Sequence, residues 1–136
     1  MTTQEAVMTT KEVADRFNQL AQQGDWTTIQ NELFADNAVS LEPPASQGMK
    51  SVEGLDAIKK KGEDFGKMVE EMHGGFTSAP VIGGNYFAVA MGMDATMKGQ
   101  GRMKMDEIAV YEVKDGKIVK EQFFFDGGSD NVNRES

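Results

Sequence analysis

Between Met103 and Val113 apolar side chains recur at every second position: Met103, Met105, Ala109, Tyr111 and Val113 share one face. A period of two reads as a strand with one face buried. One carboxylate, Glu107, interrupts that face. The next run repeats the arrangement, with Val119, Phe123 and Phe125 in phase and Glu121 among them. Its opposite face, Ile118, Gln122 and Phe124, is the competing core side and would leave Glu121 outside. Tyr86 to Met97 reads as a long strand, with Phe87, Val89, Met91 and Met93 on one wall. Lys98 to Gly101 forms the turn that follows it. Placing Met97 opposite Met103 sets Met93 against Glu107 and Met91 against Ala109. Asp115-Gly116 is a two-residue hairpin signal between the last two strands.

The first half of the chain changes period. Val13, Phe17, Leu20 and Ala21 recur at helical spacing after Thr9 and Thr10, either of which can cap the helix, with Glu12 near the position for a reciprocal bond. Gly24 ends that helix. Asp25 caps a second, whose apolar stripe is Trp26, Ile29, Leu33 and Phe34. Ala38 to Glu42 is a short strand stopped by Pro43 and Pro44, followed by a loop of Pro, Ala, Ser, Gln and Gly. A third helix starts near Gly54 or Leu55 and runs through Ile58, Phe65, Met68 and Val69 towards Met72. Phe76 to Val81 is a short strand broken by Pro80. The tail, 127–136, is polar and is expected to fray.

Helices first and an antiparallel meander afterwards give an α+β fold: three N-terminal helices packed on a strongly curved, mostly antiparallel sheet. The chain is expected to be one domain, 1–136, with its core at about 9–126. A curved sheet closed by helices encloses a cone-shaped pocket, a natural site for a small ligand.

Composition narrows the partners. With 14 Lys plus Arg against 22 Asp plus Glu, net charge −8, neither a nucleic-acid backbone nor an anionic membrane is expected. Lys59-Lys60-Lys61 lies beside Glu63 and Asp64 and reads as a solvated helix face. The absence of cysteine removes disulfides, thiol catalysis and zinc–thiolate sites. A single histidine leaves no multi-histidine metal centre in one chain, and no acidic loop has the spacing for calcium or magnesium, so no metal is expected. No signal-like segment or membrane-spanning run is present, and a cytoplasmic location is the default expectation.

The candidate chemistry is carboxylic. A buried unpaired carboxylate raises its pKa instead of staying charged, and such groups collect where a cavity has a use for them. Glu42, Glu107 and Glu121 are the candidate catalytic acids. Glu42 has a competing reading as a loop-edge acid, and Glu107 as an edge carboxylate paired with Lys104. Ligand contacts are expected from Phe17, Trp26, Phe87, Met91 and Met93. Tyr111, Phe123, Phe125 and His73 complete the set. His73, in a His-Gly-Gly turn at a helix C-terminus, has a purely structural alternative in the helix dipole. Asp94 and Asp106 fall on the outer face. That face, with Ala88, Ala90, Gly92, Ile108 and Val110, is small and apolar enough to pair with a second copy as a homodimer.

Four segments carry a resemblance. They are Gln23-Gly24-Asp25-Trp26, Leu33-Phe34-Ala35-Asp36-Asn37-Ala38-Val39, Val52-Glu53-Gly54-Leu55-Asp56-Ala57-Ile58 and Asp115-Gly116-Lys117-Ile118-Val119. In this order and spacing the chain resembles the nuclear transport factor 2-like superfamily, which includes ketosteroid isomerase and the SnoaL-like polyketide cyclases. Glu121-Gln122-Phe123-Phe124-Phe125-Asp126 is most similar to the SnoaL-like group. The resemblance implies a general base at Glu42, the acid before the proline that ends the first strand. The positions matching that enzyme's oxyanion donors hold Phe17 and, within one residue of register, Ala109, neither of which donates. The expected function is a cofactor-free proton-transfer isomerase or cyclase acting on an apolar carbonyl compound. The alternative is a non-catalytic ligand-binding or dimerising module.

Overall fold

A computed structural model describes residues 6–44, 46 and 49–126. The expected tail, 127–136, and part of the expected loop after Pro44 lie outside these residues.

Helix α1, Thr10–Gln22, begins with a complete capping box. The Thr9 hydroxyl accepts from the Glu12 amide and the Glu12 carboxylate accepts from the Thr9 amide. Gly24 follows it at φ 71°, the left-handed conformation that closes helices. Asp25 caps α2, Trp26–Leu33, by accepting from the Thr28 amide at 3.1 Å. Strand β1, Phe34–Leu41, leads through the short β2, Val52–Glu53, to α3, Leu55–Met68. The rest is β3, Val69–Thr77; β4, Val81–Gly83; β5, Tyr86–Met97; β6, Gly101–Lys114; and β7, Lys117–Phe124.

The seven strands form one curled, mixed sheet in the order β2-β1-β7-β6-β5-β3, with β4 on β5. All pairings are antiparallel except β1 with β7, which run parallel. That parallel pair brings the first strand, early in the chain, against the last. The α+β class and helix-covered sheet are therefore as expected. The core is apolar and aromatic. Phe17 of α1 meets Phe87 at 5.2 Å and Tyr111 at 4.8 Å between ring centroids, and Phe87 stacks on Tyr111 at 4.9 Å. Such ring pairs add about 0.5–1.5 kcal/mol each beyond their buried area.

Three local expectations are corrected. Helix α3 stops at Met68 instead of continuing to Met72, and the next nine residues are strand β3. Pairing along β5 outweighs the weak helical signal of Val69 to Met72. The β5–β6 register places Met97 opposite Gly101, Met91 opposite Glu107 and Met93 opposite Met105. The turn is shorter than expected because Gly99 and Gly101 both take positive φ. The slip is two residues, so the faces are unchanged. Finally, β2 pairs with β1 where only the entry to α3 was expected.

Candidate functional site

The inner face of β6 carries Glu107, Ala109 and Tyr111, and the inner face of β5 carries Phe87, Val89 and Met91 opposite them. On β7 the two competing faces are both partly realised. The β6–β7 pairing shifts between Glu112 and Val113, so Ile118 is fully buried and Glu121, three residues later, is buried too, 7 % exposed. A bulge of this kind changes which face a strand presents. Phe124 points outward, 48 % exposed.

Glu121 lies beside Ser40 in the parallel β1–β7 register. Ser40 is fully buried, and its hydroxyl donates to Glu121 Oε2 at 2.8 Å. Glu42, two residues on, projects to the same region with a side chain only 6 % exposed. Its amide donates to Ser51 Oγ at 2.9 Å, which fixes the chain as it leaves β1. Helix α3 covers this end of the sheet. Its Lys61 Nζ donates to Glu42 Oε2 and to Ser40 Oγ, both at 2.7 Å, and stands 5.6 Å from the Phe123 ring centroid.

Lys61 is the residue that sequence reasoning missed. It was expected on a solvated face with Lys59 and Lys60. Lys60 is there, paired with Asp64 in the open, but the Lys61 side chain is 11 % exposed. A signal existed. Lys61 follows the buried Ile58 by three residues, so it shares the helix face that packs on the sheet. A polar residue interrupting a buried helical stripe carries the same information as one interrupting a strand face.

Electrostatics bind these groups together. Burial pushes the Glu121 carboxyl up to about 7; the Ser40 hydrogen bond and the Lys61 charge oppose the rise, and Glu42 adds to it. Burial also pushes Glu107 up to about 7, reinforced by the charges of Glu42 and Glu121 and opposed by Lys61. Burial, then Glu121 and Glu107, hold the Tyr111 phenol well above its usual range. Glu107 and Tyr111 make no hydrogen bond to another described residue, and no fully sealed side-chain oxygen among those residues lacks a partner. Tyr111 is 2 % exposed, and Glu107 is half-buried two pairs further along the same strand face.

The other expected residues divide. Met91 and Phe123 pack against the core beside the acids, and Met93 lies further along the same wall. Phe17 and Phe87 are core fillers, at most 1 % exposed. Phe125, just past β7, is half-buried. Trp26 is 41 % exposed on the start of α2 and touches the rest of the aromatic group through Phe17, at 5.9 Å, so it is not brought to the acids. His73 is not at a helix end. It lies on β3, bonds Thr96 Oγ1 at 2.7 Å and acts on Asp94, which places it with the outer-face polar residues. Lys104 stands opposite Asp94, and so does not partner Glu107.

Two surface hollows of about 410 Å3 each lie away from these acids, one beside Thr9 and Gly116, the other beside Phe76 and Asp106. The perturbed carboxyls converge elsewhere, on β6 and β7 under α3. Among the described residues no group of acids and histidine has the geometry to hold a metal ion, and no helix is long and apolar enough to cross a membrane.

Comparison with known proteins gives the same architecture. The model of the SnoaL-like domain matches residues 8–125. A provisionally assigned SnoaL-like polyketide cyclase from Mesorhizobium loti is 34 % identical, with a TM-score of 0.81, over 87 % of this chain and 100 % of that one. An NTF2-like protein from Burkholderia thailandensis is 16 % identical at a TM-score of 0.75, covering 93 % and 96 % of the two chains. A protein with a cystatin-like fold from Xanthomonas campestris is 20 % identical at 0.66, covering 93 % and 95 %. No curated protein matched the chain.

Proposed function

This chain belongs to the SnoaL-like domain family, and on that premise we propose that it binds a small, mostly apolar carbonyl compound and moves a proton on it without a cofactor. The observation that carries this reading is the convergence of Glu42, Glu107 and Glu121, with Lys61 and Ser40, in an otherwise apolar layer.

Two carboxyls held near neutrality by burial suit general acid–base work, which is most effective when the pKa lies close to the working pH. In this scheme Glu121, ionised, takes a proton from the carbon next to the carbonyl. The C–H electron pair becomes the new carbon–carbon double bond, and the carbonyl pair moves onto oxygen. Protonated Glu107 and the Tyr111 hydroxyl donate to that oxygen, replacing the donors lost at Phe17 and Ala109. With a β,γ-unsaturated ketone, Glu121 then returns its proton to the far carbon of the dienolate, so that the double bond moves and the ligand leaves as an isomer. With a second carbonyl in reach, the enolate carbon instead attacks that carbonyl carbon, whose oxygen takes the proton as the ring closes. The neighbour from Mesorhizobium loti, provisionally a polyketide cyclase, is consistent with chemistry of this class. The test is loss of α-protons from a panel of apolar ketones in D2O, followed by NMR. Wild type should accelerate exchange for at least one ketone, and Glu121→Gln should slow it by about 100-fold or more. Absence of exchange across the panel would leave the protein as a binding module.

A second reading concerns assembly and is compatible with the first. Phe76, Ile108 and Phe124 stand on the outer sheet face at 55, 44 and 48 % exposure. Phe76 lies so close over Gly92 that a Cβ there would meet its ring at 2.3 Å. Ala88, Ala90 and Val110 extend the patch, and Asp94–Arg102 and Lys120–Glu112 pairs border it. We assign this face to a second copy of the chain. Light scattering at micromolar concentration should give a dimer, and Ile108→Glu with Phe124→Glu should give a monomer that keeps the fold. A wild-type monomer removes this reading.

A further inference from the structure

The hydrogen bonds that reach the acids have fixed directions, and this makes two similar carboxyls unequal. An ammonium group donates and never accepts. Lys61 Nζ lies 2.7 Å from Ser40 Oγ, so the Ser40 oxygen receives that bond. The single Ser40 proton then goes to Glu121 Oε2 at 2.8 Å. Without Lys61 the hydroxyl would be free to turn and accept from a protonated Glu121. With it, Glu121 Oε2 always faces a donor, a situation that favours the carboxylate. The link runs from α3 through β1 to β7, and the second Lys61 bond, to Glu42 Oε2 at 2.7 Å, holds the ammonium in place. The charged and titratable groups facing Glu121 are Lys61 from α3, Glu42 just past the end of β1, and Glu107 and Tyr111 from β6. Glu107 is close to the same groups but has no such donor among the described residues.

We propose that Lys61 is a positioning residue that, acting through Ser40, makes Glu121 the carboxyl that ionises first and leaves Glu107 holding the proton. The inference rests on the reading above that these two acids form one working site. It also fixes the reacting atom. With Oε2 engaged by Ser40, Glu121 takes up a proton on Oε1.

The experiment is a carbon-13 NMR titration of glutamate-labelled protein from pH 4 to 9, with the two carboxyl signals assigned through Glu107→Gln and Glu121→Gln. In wild type the Glu121 signal should move at lower pH than that of Glu107. Ser40→Ala and Lys61→Met should each make ionisation of Glu121 about tenfold less favourable, removing or reversing the order. Lys61→Arg, which keeps the cation and its donors, should preserve the wild-type order. Ser40→Ala retains the Glu42–Lys61 pair, so it stays informative if Lys61→Met does not fold. A merely structural Lys61 would change melting temperature and leave the order alone. Glu107 moving first in wild type, or an order unchanged in Ser40→Ala, overturns the proposal. If both acids are raised but indifferent to Ser40 and Lys61, this inference alone fails. If both titrate near the ordinary glutamate value of about 4.3, the acid–base reading fails with it.

Discussion

Glu42 and Glu121 share one cluster, yet the same substitution should act on them in opposite directions. Glu42 is paired with Lys61 at 2.7 Å, both side chains nearly buried. Removing one partner of a buried pair leaves the other charge uncompensated, at a cost of about 3–5 kcal/mol. Glu121 must give up its proton in a dry place, and Gln there keeps the shape and accepts from Ser40 without a charge. At pH 8 Glu42→Gln should therefore lower stability, and Glu121→Gln should raise it by about 1–3 kcal/mol. Chemical denaturation of the two variants checks both signs. Two changes of the same sign would mean that the charge distribution is misread. The three acids were legible in the sequence because each broke an apolar run of period two or stood at its end. Lys61 was not, because it sits in a run of charges, Lys59, Lys60, Glu63 and Asp64, of which Lys60, Glu63 and Asp64 are exposed, and only the helix geometry separates it from them.

The elements show the same division between local and distant causes. Thr9, Asp25 and Asp115-Gly116 act within a few residues, and the caps and turn they form match expectation. Asp115 and Gly116 both have positive φ, 52° and 76°, as a two-residue hairpin turn of this hand requires. The end of α3 was not legible, because Val69 to Met72 becomes strand only by pairing with β5. The face of β7 was half legible. A simple count from Val119 placed Glu121 inward, a count from Ile118 placed it outward, and the bulge makes Ile118 and Glu121 inward together. No local propensity announces that bulge. His73 followed the fate of its element: once β3 replaced the helix end, it passed to the outer face.

At the scale of the molecule, the site exists because β1 and β7 run side by side. That contact joins Ser40 to Glu121 across 81 positions of sequence, and α3 then lays Lys61 over the junction. The α+β class and helix-on-sheet packing could be read from element order, whereas this juxtaposition depends on topology. Glu107 and Glu121 are buried together, and burial raises both carboxyls to about 7, so each changes charge near neutral pH. Their folded pKa values, about 7, lie above the unfolded value. The folded chain thus holds protons that the unfolded chain has released. Their contribution to stability is greatest below the unfolded value, falls as pH rises between the two, and levels off above about 7. The most direct test compares denaturation of wild type and the Glu107→Gln/Glu121→Gln double variant from pH 4 to 9. Wild type should lose stability relative to the variant, on the order of 3 kcal/mol, chiefly between pH 5 and 7. Parallel curves across that range would mean that the two carboxyls are solvated and titrate alike in the folded and unfolded chain.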